Sequence, residues 1–263
     1  MNSQENASGR PLADSKWLEN HHIAKLPERK TFANKVSACT PKSIVDLGCA
    51  TGLWLDLFDK TVSDDCIFIG IDSDNQALDL ATERSKKWSR SSSFLCMDIE
   101  RDADKIPAAD LTLAFNIFPY IRDIDTFIET LSKRQPKGIL AVRQYDGASI
   151  RFGPMPTNQR QSFETSLRVA TESSSRFNHY DMDRTFTALH RANYNSFEYD
   201  FELFKRFSPF KDDFIPYYRD MLLWTCDHVS EDSSAFLHNW INEDPDYLKS
   251  RYFYEVDLVA VLS

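Results

Sequence analysis

Small residues recur at every second position directly after an acidic residue near the start of this chain. The segment reads Asp46-Leu47-Gly48-Cys49-Ala50-Thr51-Gly52, with a short apolar run from Ser43 before it and an apolar segment of helical type from Leu53 after it. A strand, a glycine turn and a helix together make a site for a ligand, because backbone N–H groups at a helix start have no internal partner. The alternative is an ordinary strand-to-helix turn that needs two glycines.

The spacing of the glycines argues against a dinucleotide site. The fingerprint of such sites is G-x-G-x-x-G. Starting at Gly48, that pattern requires glycine at positions 50 and 53, where this chain has Ala50 and Leu53. A nicotinamide-dependent oxidoreductase is therefore disfavoured.

A second acidic residue lies at the end of the next predicted strand. Residues 66–72 have a buried-strand pattern that ends in Asp72, which is 20 residues beyond Gly52. In nucleotide-binding α/β folds an acid at this position accepts hydrogen bonds from ribose hydroxyls. The alternative is a helix N-cap, although Ser73 or Asp74 suits that role better.

Two further predicted strands also end in polar residues. Residues 93–98 lead to Asp98-Ile99, and residues 110–116 end at Asn116. In a parallel sheet the ligand lies beyond the carboxyl ends of the strands. We therefore expect Gly48, Asp72, Asp98 and Asn116 to meet in one cleft.

These four motifs, in this order and at these intervals, resemble those of the class I S-adenosylmethionine (SAM)-dependent methyltransferases. The resemblance covers residues 40–145, and the middle glycine of the family's G-x-G-x-G is often Ala or Ser. It implies SAM as the cofactor. It also implies roles for Asp72 and Ser73 beside the ribose, for Asp98 and Ile99 at the adenine, and for Asn116 near the methionine part and the sulfonium. The turn beside the amino-acid portion comprises Asp46, Gly48, Ala50 and Gly52.

The alternation of strand and helix patterns predicts the fold. It favours an α/β protein with a Rossmann-like, doubly wound sheet of seven strands, mostly parallel with an antiparallel last strand. The strands are expected near 43–48, 66–72, 93–98, 110–116, 138–145, 197–204 and 252–261. The helices of the core are expected near 52–60, 75–88 and 123–134, followed by helices over 162–175 and 181–192.

Two additions flank this predicted core. Residues 1–36 are expected to form a loose tail and a helical lid, with a break near Pro27 and a second helical turn over 31–36. Trp17, His21 and His22 are either lid residues or a packed Trp beside solvated histidines. Residues 37–263 are expected to form the methyltransferase domain, in which 208–250 is an aromatic-rich helical cap over the acceptor site, or else a satellite bundle or an oligomer contact. Residues 147–161 are expected to be a rim loop.

The resemblance says little about the acceptor, so the candidate residues there come from position and type. A hydroxyl acceptor would profit from a base within hydrogen-bond reach, and the candidates are His179, Tyr145 and Tyr180. Arg143, Tyr120, Tyr217 and Trp224 are candidates for acceptor contact. The Asn-Pro-Pro-Tyr motif of nucleic-acid-base and glutamine methyltransferases is absent. We therefore expect methyl transfer to O or N of a small, aromatic or apolar molecule; a macromolecular acceptor and a non-catalytic binding module remain open.

The composition bounds the remaining classes. The chain has 263 residues and a net charge of −9, whereas nucleic-acid binders usually carry a basic face. No apolar run approaches the ~20 residues that span a bilayer, and the start lacks signal-peptide features. The five cysteines are scattered, as expected of free thiols in a cytoplasmic protein without a metal site. The oligomeric state is not predicted.

Overall fold

The described residues form a seven-stranded mixed sheet flanked by helices. The computed structural model describes residues 12–173, 180–192, 194–242 and 250–263. The strands are β1 (Ser43–Leu47), β2 (Ile67–Asp72), β3 (Ser92–Cys96), β4 (Leu111–Phe115), β5 (Ile139–Gly153), β6 (Phe197–Phe207) and β7 (Tyr252–Leu262). The α-helices are α1 (Ser15–Ala24), α2 (Leu26–Ser37), α3 (Leu53–Phe58), α4 (Asn75–Ser85), α5 (Ile124–Arg134), α6 (Thr157–Ser173), α7 (Met182–Arg191), α8 (Ile215–Cys226) and α9 (Glu231–Asn242).

The strand order is β3-β2-β1-β4-β5-β7-β6. Strands β1 to β5 pair in parallel, and β7 is antiparallel to both of its neighbours, β5 and β6. The order changes direction between β1 and β4, and in doubly wound sheets this point opens a ligand crevice at the carboxyl ends of the strands. The predicted Rossmann-like fold is confirmed.

Burial explains why the central strands are almost entirely apolar. Every residue of β4 is buried, as are four of the five residues of β1, because both faces of the sheet are covered. One face packs against α5, which presents Phe127, Ile128 and Leu131. The other face packs against α2 and α3. Each buried side chain of this size contributes about 1.5–3 kcal/mol relative to an exposed one.

The two N-terminal helices lie against the insertion between β6 and β7. Helix α1 begins after Asp14, whose side chain accepts a hydrogen bond from the Trp17 N–H at 2.9 Å. Its Asn20 donates to Asp220 of α8 at 2.8 Å. Helices α8 and α9 share an aromatic core with the extended ends of β5, β6 and β7. The insertion is therefore packed on both the sheet and the N-terminal helices.

Four buried charges and one partly buried glutamate, Glu202, join these parts. We call this group the buried ion cluster: Lys25, Arg143, Glu202, Glu255 and Asp257. Lys25, between α1 and α2, pairs with Glu255 and lies 2.9 Å from an Asp257 oxygen on β7. Arg143 on β5 reaches Asp257 at 2.7 Å and Glu202 on β6 at 2.5 Å. Arg143 is only 2% exposed, so the cluster ties the N-terminal helices to three strands in the interior.

Three predicted segment boundaries are wrong, at the end of β5 and at the starts of α6 and α2. The first part of the rim loop predicted over 147–161 is instead the second half of β5, which continues to Gly153 after an irregularity between Tyr145 and Ile150 because β7 pairs with it. Helix α6 then begins at Thr157, five residues before the predicted start. Helix α2 begins at Leu26 rather than near residue 31, because Pro27 lies in its first turn, where a missing N–H costs nothing.

Two general properties complete the description of the fold. Across the described residues, we find no helix with the length and apolar character needed to span a membrane. In the same part of the chain, His, Cys, Asp and Glu side chains do not gather into a group suited to hold a metal ion.

Candidate active site

The turn between β1 and α3 alternates into the left-handed region of backbone space. Gly48, Ala50 and Gly52 have φ angles of 66°, 46° and 75°. Glycine adopts such angles freely, whereas an alanine pays roughly 1–2 kcal/mol for them. A Cβ on Gly48 would also lie 2.8 Å from Cγ2 of Ile117. The spacing seen in the sequence is therefore a conformational requirement of the turn.

Asp72, at the end of β2, holds this turn from the side. Its Oδ2 accepts the Ala50 N–H at 2.8 Å, and its Oδ1 accepts the Asp74 N–H at 2.9 Å. Asp74 in turn caps α4 by accepting the Gln76 N–H at 2.8 Å, as expected for the better of the alternative caps. Burial raises the pKa of Asp72, although the hydrogen bonds from Asp74 and Ala50 oppose this shift.

The third and fourth predicted strand ends lie in the same cleft. Asp98 accepts the N–H groups of Glu100 and Arg101 at 3.1 and 3.0 Å, both on Oδ1. Asn116 has a φ of 57°, a left-handed conformation that Asn tolerates better than most residues. Its Oδ1 accepts the Tyr145 N–H at 3.2 Å, which links the end of β4 to that of β5.

All these strand ends open into one cavity of about 1640 Å³. Typical single-ligand pockets measure ~300–1,000 Å³, so this cavity has room for a cofactor and an acceptor together. The predicted cofactor residues that line it are Gly48, Ala50, Asp72, Ser73, Asp98, Ile99 and Asn116. The other two predicted residues, Asp46 and Gly52, do not line the cavity.

Unpartnered polar atoms in the lining indicate that the cavity holds a polar ligand. Three buried atoms without a hydrogen-bond partner in the described structure belong to lining residues: Nε of Arg29, Oγ1 of Thr51 and Oε2 of Glu100. Leaving a buried polar group unsatisfied costs about 1–3 kcal/mol. A zwitterionic nucleoside such as SAM, with a carboxylate, an ammonium and ribose hydroxyls, fits this lining.

Arg29 was not singled out from the sequence. It comes from α2, and its Cζ lies 4.8 Å from the centroid of the Trp54 ring. Its Nη1 lies 2.8 Å from Nδ1 of His22. Burial, together with Arg29, lowers the pKa of His22 to about 3. The ring is therefore neutral, and Nδ1 accepts the hydrogen bond.

The other end of the cavity is lined by aromatic side chains, and we call Tyr145, Tyr180, Trp224 and His228 the aromatic wall. The ring centroids of Tyr180 and Trp224 are 5.3 Å apart, and those of Trp224 and His228 are 4.4 Å apart. Burial raises the pKa of Tyr145 well above its ordinary value. Tyr145 is therefore a hydrogen-bond donor at neutral pH and not a base.

Helix α1 also contributes side chains to the cavity lining. Trp17 and His21 both line the cavity, and the His21 ring stacks on Tyr217 with centroids 5.0 Å apart. Burial and the nearby Arg29 charge lower the pKa of His21 well below its ordinary value. His21 is buried and is therefore not the solvated histidine of the alternative reading, and the lid role of Trp17 and His21 stays a prediction.

The remaining predicted acceptor residues divide by position. Tyr120 and Trp224 line the cavity. Arg143 is buried in the ion cluster, and Tyr217 donates its hydroxyl hydrogen to Glu255 at 2.8 Å, so neither is carried forward as an acceptor contact. His179 lies outside the described residues.

Comparison with known proteins agrees with this geometry. Residues 45–138 match a family model described as a methyltransferase domain. This chain therefore contains a class I SAM-dependent methyltransferase domain. The cofactor prediction, SAM, is confirmed.

Solved structures share the fold of this methyltransferase at low identity. The plantazolicin methyltransferase BpumL, in complex with a monoazolic desmethylPZN analog and S-adenosylhomocysteine (SAH), aligns over 94% of this chain and 87% of its own, with 19% identity and a TM-score of 0.51. A candidate methyltransferase from Bacillus halodurans aligns over 89% of this chain and 97% of its own, with 11% identity and a TM-score of 0.53. A comparison with curated proteins gave no match.

Proposed function

We propose that this methyltransferase transfers a methyl group from SAM to an oxygen or nitrogen atom of a small, aromatic or apolar molecule. The observation that carries the proposal is the continuity of the cavity. The predicted cofactor residues line one end, and the aromatic wall lines the other. Aromatic rings stack on planar acceptors with centroids about 4.5–7 Å apart.

The residues proposed to hold the cofactor follow from their positions in the cleft. Asp72, with Ser73 beside it, would accept hydrogen bonds from the ribose hydroxyls. Asp98 would take the adenine amino group, and the Ile99 N–H would meet the ring. When bound, SAM supplies a methyl group that is already activated on a sulfonium. The protein's task is therefore mainly alignment, which can supply about 7 kcal/mol or more in ideal cases.

The methyl acceptor loses a proton, and we propose His228 of the aromatic wall as the base that takes it. Its Nδ1 lies 2.7 Å from the Trp224 carbonyl oxygen. A carbonyl only accepts hydrogen bonds, so Nδ1 carries the hydrogen, and in that tautomer Nε2 is the atom that would accept a proton. Tyr180, whose ring centroid is 6.4 Å from that of His228, is retained as a second candidate beside it, and so is the untested His179.

The first experiment is calorimetric titration of SAM and SAH into the wild type, Asp72→Asn and Asp79→Asn. Asp79 is an exposed acid on α4, so its substitution controls for the loss of one negative charge. We expect micromolar binding by the wild type and Asp79→Asn and a loss of at least about tenfold in Asp72→Asn. Absence of SAH binding by the wild type would contradict the proposal and favour a non-catalytic module.

A second experiment separates small from macromolecular acceptors. Cell extract is divided by ultrafiltration into small molecules and macromolecules, and each fraction is incubated with the protein and methyl-labelled SAM. We expect the label in the small-molecule fraction. Label confined to protein or RNA would favour the alternative of a macromolecular acceptor, with the insertion acting as a docking surface instead of a cap.

A further inference from the structure

Arg29 is a buried cation in the cavity without an anionic partner among the described residues. It is 5% exposed, its Nε has no hydrogen-bond partner, and its Nη1 bonds to a neutral imidazole. Burial and the nearby Arg143 guanidinium lower its pKa to about 9, so the group is still charged at neutral pH. A buried charge of this kind is costly unless it is paired.

The position of Arg29 identifies the end of the cavity that it serves. Its guanidinium lies over the Trp54 ring, on the segment that follows the β1–α3 turn. It is also close enough to Asp46, at the end of β1, to oppose the rise in the pKa of Asp46 that burial causes. Asp46 retains an unpartnered Oδ2 and forms no ion pair with Arg29. Arg29 therefore lines the cavity beside the β1–α3 turn, where the amino-acid portion of the cofactor is expected.

We propose that Arg29 binds the carboxylate of the cofactor's amino-acid portion and is thereby the residue that selects a zwitterionic nucleoside. A guanidinium binds a carboxylate through two parallel N–H···O bonds, and Nε, which lacks a partner, is one of the donors of that fork. The inference rests on the proposed function, because it assigns a ligand contact within the same site. It also gives α2 a direct role in binding.

The same chemistry could serve a carboxylate on the acceptor instead. The experiment therefore uses two cofactor analogues that differ only in that group: SAH and its decarboxylated form, S-adenosyl-3-thiopropylamine. Both are titrated by calorimetry into the wild type, Arg29→Gln and Arg90→Gln. Arg90 is a matched control, since it is another buried guanidinium but pairs with Asp59 at 2.7 Å on the far end of α3.

We expect the wild type and Arg90→Gln to bind SAH about 10- to 100-fold more tightly than the decarboxylated analogue, as for a hydrogen bond to a charged group. In Arg29→Gln the two analogues should bind about equally, with the loss confined to SAH. If Arg29→Gln still prefers SAH over the decarboxylated analogue, the inference is overturned, and a contact between Arg29 and a carboxylate of the acceptor is favoured instead. Equal weakening of both analogues would overturn it in favour of a structural role.

Thermal unfolding of the ligand-free proteins gives an independent readout. Removing an unpartnered buried charge should leave the Arg29→Gln midpoint unchanged or raised, whereas Arg90→Gln should lower it because Asp59 loses its partner. A strong drop in the Arg29→Gln midpoint would count against an unpaired cation. If the wild type binds neither analogue, the proposed function itself fails; if it binds SAH normally, only the Arg29 assignment is at stake.

Discussion

Lys25→Met removes the only cation that contacts both acids of β7 in the buried ion cluster. The substitution retains most of the side-chain volume, but the Glu255 and Asp257 carboxylates are only 1% and 2% exposed. Asp257 keeps Arg143 as a cationic partner, whereas Glu255 keeps only the hydrogen bond from the Tyr217 hydroxyl. Breaking a buried pair by removing one partner costs about 3–5 kcal/mol. At roughly 2–4 °C per kcal/mol for a chain of this size, we expect the unfolding midpoint to fall by roughly 6–20 °C.

The assay is thermal and urea unfolding of the wild type, Lys25→Met and the control Lys42→Met. Lys42 forms a pair with Asp65 at 2.6 Å, but its side chain is 65% exposed, so its loss should hardly change the midpoint. The double variant Lys25→Met/Glu255→Gln should recover part of the stability, because it removes one uncompensated charge. A Lys25→Met midpoint as close to the wild type as that of Lys42→Met would refute the reasoning.

The pH dependence of this effect has a definite sign. Burial opposes ionisation of Asp257, but Lys25 and Arg143 keep its pKa below the ordinary value. In the wild type its contribution to stability is therefore fully present above the unfolded pKa of about 3.9 and is lost as the pH falls through the lower folded value. Without Lys25 the carboxylates protonate more easily, so the difference between variant and wild type should shrink as the pH falls. A difference that grows in acid would contradict the assignment.

Three further predictions concern the cleft. Gly48→Ala should abolish SAH binding in calorimetry, because the added Cβ would meet Ile117. Ala50→Gly should preserve binding and leave the unfolding midpoint unchanged or raised, since glycine removes about 1 kcal/mol of backbone strain at a left-handed φ. Burial raises the pKa of Asp72, so SAH affinity should fall as the pH is lowered, and the fall should begin above the ordinary Asp pKa of about 3.9. This dependence should disappear in Asp72→Asn. Trp224→Ala should retain SAH affinity while reducing label transfer to the small-molecule fraction at least about tenfold.

The sequence was sufficient to predict that the β1–α3 turn and the neighbouring strand ends meet in one cleft, because the geometry of each is local. Left-handed φ angles favour glycine, so the turn can be recognised from Gly48 and Gly52. The strand that ends in Asp72 can be recognised from its run of apolar residues. Both features are set by residues that are neighbours in the chain. The placement of these strand ends then follows from the general rule that parallel strands share one carboxyl edge.

The parts that the sequence did not predict depend on partners far away in the chain. The second half of β5 contains Gly147 and polar residues, and only its pairing with β7 makes it a strand. Arg29 becomes a cavity residue because α2 crosses beside the β1–α3 turn, which no local pattern indicates. One available signal was the pair Glu255 and Asp257, two acids on the same side of an otherwise apolar strand, which require buried cations.

The N-terminal helices both contribute side chains to the cavity, and a buried ion pair fixes them to the sheet. Helix α2 supplies Arg29, the proposed contact of the cofactor carboxylate, and α1 supplies Trp17 and His21 to the lining of the same cavity. Lys25 lies at the junction of the two helices and fixes them to β7. A surface ion pair at that point would be weakened by salt and worth little, so both ligand contacts would loosen together. A buried pair couples the order of the helices to that of the sheet, and Lys25→Met should therefore lower SAH affinity even at temperatures where the sheet stays folded.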